Sequence, residues 1–151
     1  MLSLKECNDI VEATAKKTNV LREGYAVKWT GHLGKFGSAN KRTGVITLSY
    51  PILAHSGKEH IVDTFLHELA HIVCPEYGHT PLWKKIAKEL GAVPKSQCTL
   101  DVKPYNVYCV ECGFLFEAYS AKKNRVHASS ICNKGKVYFR RKPEFKFIKG
   151  D

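Results

Sequence analysis

Apolar positions recur at helical spacing in three stretches of the chain and alternate in two, an order that predicts a mixed α+β protein. Leu4, Cys7, Ile10, Val11 and Ala15 fall on one side of a helix running to about Lys17, and Ser3 with Glu6 reads as its capping box. Tyr25 to Trp29 and Gly44 to Ser49 alternate as strands do, separated by a loop containing Gly31, Gly34 and Gly37. Ile61, Phe65, Leu69 and Ile72 return to helical spacing, and Val62, Leu66 and Val73 widen that stripe into a buried helix. Ser56 and Glu59 suggest a capping box at its start and Pro75 its stop, since proline has no amide proton and clashes with the preceding turn. Leu82, Trp83, Ile86, Ala87 and Leu90 form the apolar face of one more helix, with Thr80 as N-cap, Pro81 as first helical residue and Gly91 as its end.

After this helix the composition shifts. Val93-Pro94-Lys95-Ser96-Gln97 reads as a linker, dividing the chain into a core at 1–97 and a C-terminal region at 98–151. A length of 151 residues, 44% of them hydrophobic, suits one main core plus a small appendage, expected to be a monomer. There is no run of 18 apolar residues, and Lys5 and Glu6 interrupt the start before a secretory apolar segment could form. A cytoplasmic or nucleoid-associated location is therefore expected. In that setting the six cysteines are not expected to form disulfides, and Cys7 and Cys74 are assigned to core packing.

The second apolar helix carries His67-Glu68-Leu69-Ala70-His71 in its last two turns. Residues four apart share a helix face, so both imidazoles can reach one metal ion while Glu68 stands beside them as a base. A chain with only seven histidines rarely produces this pattern by accident, and unpaired imidazoles on an apolar helix would be costly. A catalytic zinc usually keeps three protein ligands and an open position. His79 is the best third ligand, because Pro75 and Gly78 let the chain turn back toward the metal; Glu89 is the rival, though its place beside Lys88 suits a solvated helix face. Asp63, one turn before His67, is read either as a carboxylate orienting an imidazole or as an exposed helix residue. His32, His55 and His60 are read as surface polar residues.

His67-Glu68-Leu69-Ala70-His71, followed by Gly78-His79 and Pro81-Leu82-Trp83, resembles the SprT-like metalloproteases, a family that includes the Spartan DNA-protein crosslink proteases. Phe36-Gly37-Ser38 and Gly44 to Ser49 are similar to the strand pair that the family places before its catalytic helix. The resemblance implies a small zincin-like core: an N-terminal helix, a short antiparallel sheet, the HExxH helix and a following helix. It also implies a zinc-ribbon-like β unit after the core, single-stranded or junction DNA as partner, and DNA-bound proteins as substrates.

The last third of the chain offers a second metal signal. Cys109-Val110-Glu111-Cys112-Gly113 reads as a zinc knuckle, two thiolates on a turn that glycine permits. Cys132 supplies a third thiolate, but Asn133, Lys134 and Gly135 follow where a ribbon would carry a fourth cysteine. His127 can complete a Cys₃His structural zinc site, with Cys98 an outside candidate; the bland alternative is a small β unit with unmetallated thiols. Residues 101–151 also hold +6 of the +10 net charge. Lys122, Lys123, Arg125, Lys134, Lys136, Arg140, Arg141 and Lys142 are interleaved there with Tyr119, Tyr138, Phe139, Phe145 and Phe147, a mixture that neutralises phosphates and stacks on unpaired bases.

These signals point to a DNA-activated zinc endopeptidase. Two other readings stay open: a zinc-containing nucleic-acid-binding protein without proteolysis, which has no need of Glu68, and a DNA-independent protease of one regulatory protein.

Overall fold

A computed structural model describes residues 1–95, 102–110, 113–118, 121, 126–127 and 135–145. The architecture is α+β, and the described residues group into two compact units, 1–95 and 102–145.

The first unit opens with α1 (Leu4–Lys16). Its start is the capping box expected: the Ser3 side chain accepts from the Glu6 amide at 3.2 Å, and Glu6 accepts from the Ser3 amide at 2.7 Å. After a 3₁₀ turn come β1 (Ala26–Thr30), β2 (Gly37–Asn40) and β3 (Val45–Ser49), which form one sheet in the order β1-β3-β2. The sheet is mixed, which corrects the antiparallel expectation: β3 runs antiparallel to β2 but parallel to β1. The cause lies in the connections. Residues 31–36 carry the chain over the end of β3, where Ser49 donates its amide to Phe36 O and its hydroxyl to His32 O. A tight turn after Asn40 then returns the chain between the two earlier strands. Gly37 is therefore a strand residue and not part of a loop.

The helix expected to carry the motif is present as α3 (Lys58–Val73), and a further short helix that was not expected, α2 (Tyr50–Ser56), precedes it. The proposed Ser56–Glu59 capping box does not form, because Ser56 completes the last turn of α2 and gives its hydroxyl to Ile52 O at 2.7 Å. Gly57, at φ 96°, ends one helix and starts the next without a side-chain cap. The α3 helix stops at Val73, with the Cys74 amide still bonded to Ala70 O ahead of Pro75. The last helix of this unit, α4 (Pro81–Leu90), has the predicted ends: Thr80 caps the Trp83 amide at 3.2 Å and Gly91 closes it in the left-handed conformation.

Ile61, Phe65 and Leu69 of α3 are fully buried against Ile46 and Leu48 of β3, Cys7 and Val11 of α1, and Trp83 and Ala87 of α4. Cys7 and Cys74 are both fully buried free thiols, as core packing requires. Helix α3 thus runs through the middle of the unit, and its last turns are held from several sides.

The second unit is a four-stranded sheet, ordered β5-β4-β7-β6, from β4 (Tyr105–Cys109), β5 (Gly113–Ala118), β6 (Val126–His127) and β7 (Gly135–Arg141). All its described pairings are antiparallel. No described helix is long and apolar enough to cross a membrane.

The β2–β3 turn tests this account of the sheet. Gly44 sits at φ 69°, and a Cβ there would lie 2.9 Å from Gly24 O, next to the point where the Ala26 amide bonds Gly44 O. Gly44→Ala is expected to destabilise the protein by about 1–3 kcal/mol in a denaturant titration, from left-handed strain plus the displaced contact.

Candidate functional site

Successive turns of α3 present His67 and His71 on one face, as four-residue spacing requires. The turn at 74–80 brings back His79, helped by Gly78 at φ 79°. The Nε2 atom of His79 lies 3.2 Å from Nε2 of His67 and 3.2 Å from Nε2 of His71. Nitrogen ligands about 2.0 Å from a tetrahedral ion stand about 3.3 Å apart, so this spacing is close to that of metal coordination. Hydrogen bonding alone does not satisfy it. A neutral imidazole offers either one N–H or one lone pair at Nε2, so His79 can serve only one neighbour at a time. These three side chains form a group that could hold a metal ion among the described residues. Glu89 is exposed on α4 and takes no part.

Trp83 forms the floor beneath them. It is fully buried, and its ring centroid lies 4.7 Å from that of His67, 5.0 Å from His71 and 4.5 Å from His79. The sequence marks Trp83 only as an apolar helix position; nothing in helical spacing says that it faces three imidazoles. This apolar setting disfavours the charged forms of His67 and His71. Burial, with the neighbouring His67, His79 and Lys41 charges, holds His71 down to about 4. Burial likewise lowers His67, with His79 acting in the same direction and Asp63 opposing. Neutral imidazoles are the form that binds metal.

The Nδ1 atom of His67 is buried without a hydrogen-bond partner among the described residues, so Asp63 is not bonded to it. The Asp63 carboxylate instead accepts the Val93 amide at 2.7 Å, tying α3 to the segment after α4.

Glu68 is 8% exposed and lies beside Gly37 of β2. A Cβ at Gly37 would come within 3.1 Å of Glu68 Cγ and 3.1 Å of Thr64 Cγ2, so glycine leaves the space that the glutamate stem occupies. A lone glycine within a strand is a signal of such close approach, legible once the strand is recognised. Glu68 and the three histidines open into a cleft of about 1350 Å³, walled by residues 34–43 on one side and Tyr77-Gly78-His79 on another. Lys28, Lys35, Lys41 and Arg42 line it too, and Glu68 is the carboxylate among the lining residues.

Of the residues assigned to the C-terminal site, Cys109 and His127 are among the described residues. Cys109 ends β4 as a buried residue and pairs across the hairpin with Gly113, which adopts φ 90°. His127 lies in β6 opposite Gly135, while Cys112, Cys132 and Cys98 lie outside the described residues. So do Lys122, Lys123, Arg125 and Lys134 of the basic stretch. Lys136, Arg140 and Arg141 fall on β7. Arg140 is exposed, 5.7 Å from the ring centroid of Tyr108, which stacks on Tyr138 at 5.3 Å and 17°. Lys142 is engaged with Glu117 at 2.7 Å.

Burial pushes the Glu68 carboxyl up to about 7, against the pull of the Lys35 cation. A folded value above the ordinary 4.5 means that the folded state binds this proton more tightly than the unfolded chain. That stability is complete below pH 4.5 and lost as the pH rises toward 7. In metal-free protein Glu68→Gln, which does not titrate, is expected to exceed wild type in stability at pH 8 by at most about 3 kcal/mol, and to lose that advantage below pH 4.5. Denaturant titrations of both proteins across this range check it.

Two comparisons bear on identity. A search of curated proteins finds no match to the chain. The model of the SprT-like family matches residues 4–103, two thirds of the sequence and all four described helices. With a convergent histidine triad able to hold a metal at the end of the matched helix pair, the chain belongs to the SprT-like family, whose domain is of metalloprotease type.

Proposed function

We propose that this protein is a zinc-dependent endopeptidase that cuts proteins bound or crosslinked to DNA and is activated by that DNA. The observation that carries the reading is the meeting of three imidazole nitrogens beside a buried glutamate in an open cleft. His67, His71 and His79 would hold the ion. Bound zinc would acidify a water toward a pKa of about 7 and polarise the scissile carbonyl. Glu68, buried beside the triad on the same helix, would act as the base that takes a proton from water and returns it to the leaving amine. Strand β2, at the outer edge of its sheet among the described residues and along the cleft, offers a backbone edge on which an extended peptide can align.

DNA engages the region after residue 97. The stack of Tyr108 and Tyr138 with Arg140 beside it supports base stacking plus phosphate neutralisation. Lys122, Lys123, Arg125, Lys134, Lys136, Arg141 and Lys142 extend the basic surface, Lys142 after release from Glu117. A second, structural zinc is assigned to Cys109, Cys112, His127 and Cys132, making this region a zinc-ribbon-like unit after a zincin-like core. In support, Cys109 is opposite Val137 and His127 opposite Gly135 on the same strand, so both fall toward one end of the sheet. Selectivity comes from proximity on shared DNA and not from a cleavage sequence, in a monomer of the cytoplasm or nucleoid.

Cleavage of a protein crosslinked to DNA, compared with the same protein free, tests this directly. Wild type is expected to cut the crosslinked form only, and Glu68→Gln to lose about 10²–10⁴-fold in rate while retaining zinc. DNA-independent cutting would instead identify a protease of a dedicated protein target, and zinc and DNA binding without cutting a binding module. Gly37→Ala crowds the base and is expected to lower kcat at least about tenfold with zinc content unchanged, read by steady-state kinetics with metal analysis.

A further inference from the structure

The segment that delivers His79 is weakly tied to the fold. Pro75, Glu76, Tyr77 and Gly78 are all exposed, and no backbone–backbone hydrogen bond among the described residues involves 75–79. Its ends are fixed, by the α3 terminus at Cys74 and by the Thr80 cap of α4. Between them stands one cation from a distant part of the sequence. Lys41, in the turn between β2 and β3, donates from Nζ to the carbonyl oxygens of Cys74 and, at 3.0 Å, of Glu76. The same Nζ lies 4.5 Å from the centroid of the Tyr77 ring. No carboxylate forms an ion pair with Lys41 among the described residues, so its charge is directed to these two carbonyls and one aromatic face.

Carbonyls just past a helix C-terminus lack partners within the helix and carry partial negative charge, which is where an ammonium binds well. The ring adds a cation–π contact. The three contacts fall on residues 74, 76 and 77, immediately before the histidine that must meet two others within about an ångström.

We propose that Lys41 is a positioning residue: it clamps residues 74–77 to the β2–β3 turn and thereby holds His79 in its place as third metal ligand. This rests on the metal-binding reading of the histidine triad. Without the clamp, His79 samples positions outside coordination range and the competent arrangement becomes a minor population. Metal affinity falls by the same fraction. Lysine suits the role because three donors on one small head serve two carbonyls and leave the charge against the ring.

The test uses the full-length chain and two variants, Lys41→Met, which keeps the stem and removes the charge, and Lys41→Arg, which restores charge and donors. Zinc affinity is read by competition with a chromophoric chelator, and backbone NMR order parameters are followed at 76–79 in metal-free protein. Lys41→Met is expected to bind zinc about tenfold or more weakly, in the range that loss of groups supporting metal ligands produces. Its order parameters are expected to fall at 76–79 with those of the α3 core unchanged, and Lys41→Arg to recover most of both. Wild-type affinity and order parameters in Lys41→Met would overturn the proposal. So would a raised KM with unchanged kcat and unchanged zinc affinity, which would make Lys41 a substrate contact. If the wild-type chain itself fails to bind zinc, the triad reading falls, while the order parameters still decide whether Lys41 holds the loop. A Lys41→Met chain whose order parameters fall throughout α3 would likewise count against a local clamp.

Discussion

Much of the first unit answers to one constraint: the His79 nitrogen must stand 3.2 Å from those of both His67 and His71, at the floor of a cleft. Two of them come together at no conformational cost, because consecutive helical turns place them there. The third must be brought from outside the helix. The turn at 74–80, the proline-started α4 and the buried Trp83 exist around that requirement, since each fixes part of the path from His71 to His79. Burial has a second effect on Glu68, raising its proton affinity toward the neutral range. One environment therefore lowers the basicity of His67 and His71 and raises that of the acid between them, opposite shifts with burial as the first cause of each.

Local features of this fold were legible in the residues alone, and non-local ones were not. The ends of α1 and α4 follow from Ser3, Glu6, Thr80, Pro81 and Gly91, because a cap is decided within a few residues. Ser56 and Glu59 show the limit of that logic. Their spacing satisfies the capping rule, yet Gly57 breaks the chain between two helices and Ser56 spends its hydroxyl on Ile52. The direction of β1 relative to β3 could not be read either, because it depends on which side of β3 the chain takes after Thr30.

The site divides in the same way. His67, Glu68 and His71 declare themselves by spacing, and His79 by the turn residues before it. Trp83, Gly37 and Lys41 do not, because their roles arise from the assembled fold: a ring under three imidazoles, a missing methyl beside a glutamate, and an ammonium that meets a loop 33 and 35 residues away. Lys41 in particular looks like any surface lysine in a turn. Asp63 is the converse case, a residue at the right spacing to orient His67 that bonds the Val93 amide instead.

The free edge of β2 has a consequence for the protein in concentrated solution. An unpaired strand edge offers its backbone to any extended chain, including the same edge of another copy. Here that edge is bounded by cations, Lys35 just before it and Lys41 and Arg42 just after it. Two copies approaching edge to edge in antiparallel register would set Lys35 of each against the basic turn of the other, with like charges meeting at both ends of the pairing. The strand can thus stay open to a peptide of neutral or acidic character while its own duplication is opposed by electrostatic repulsion, a barrier that weakens as added salt screens it.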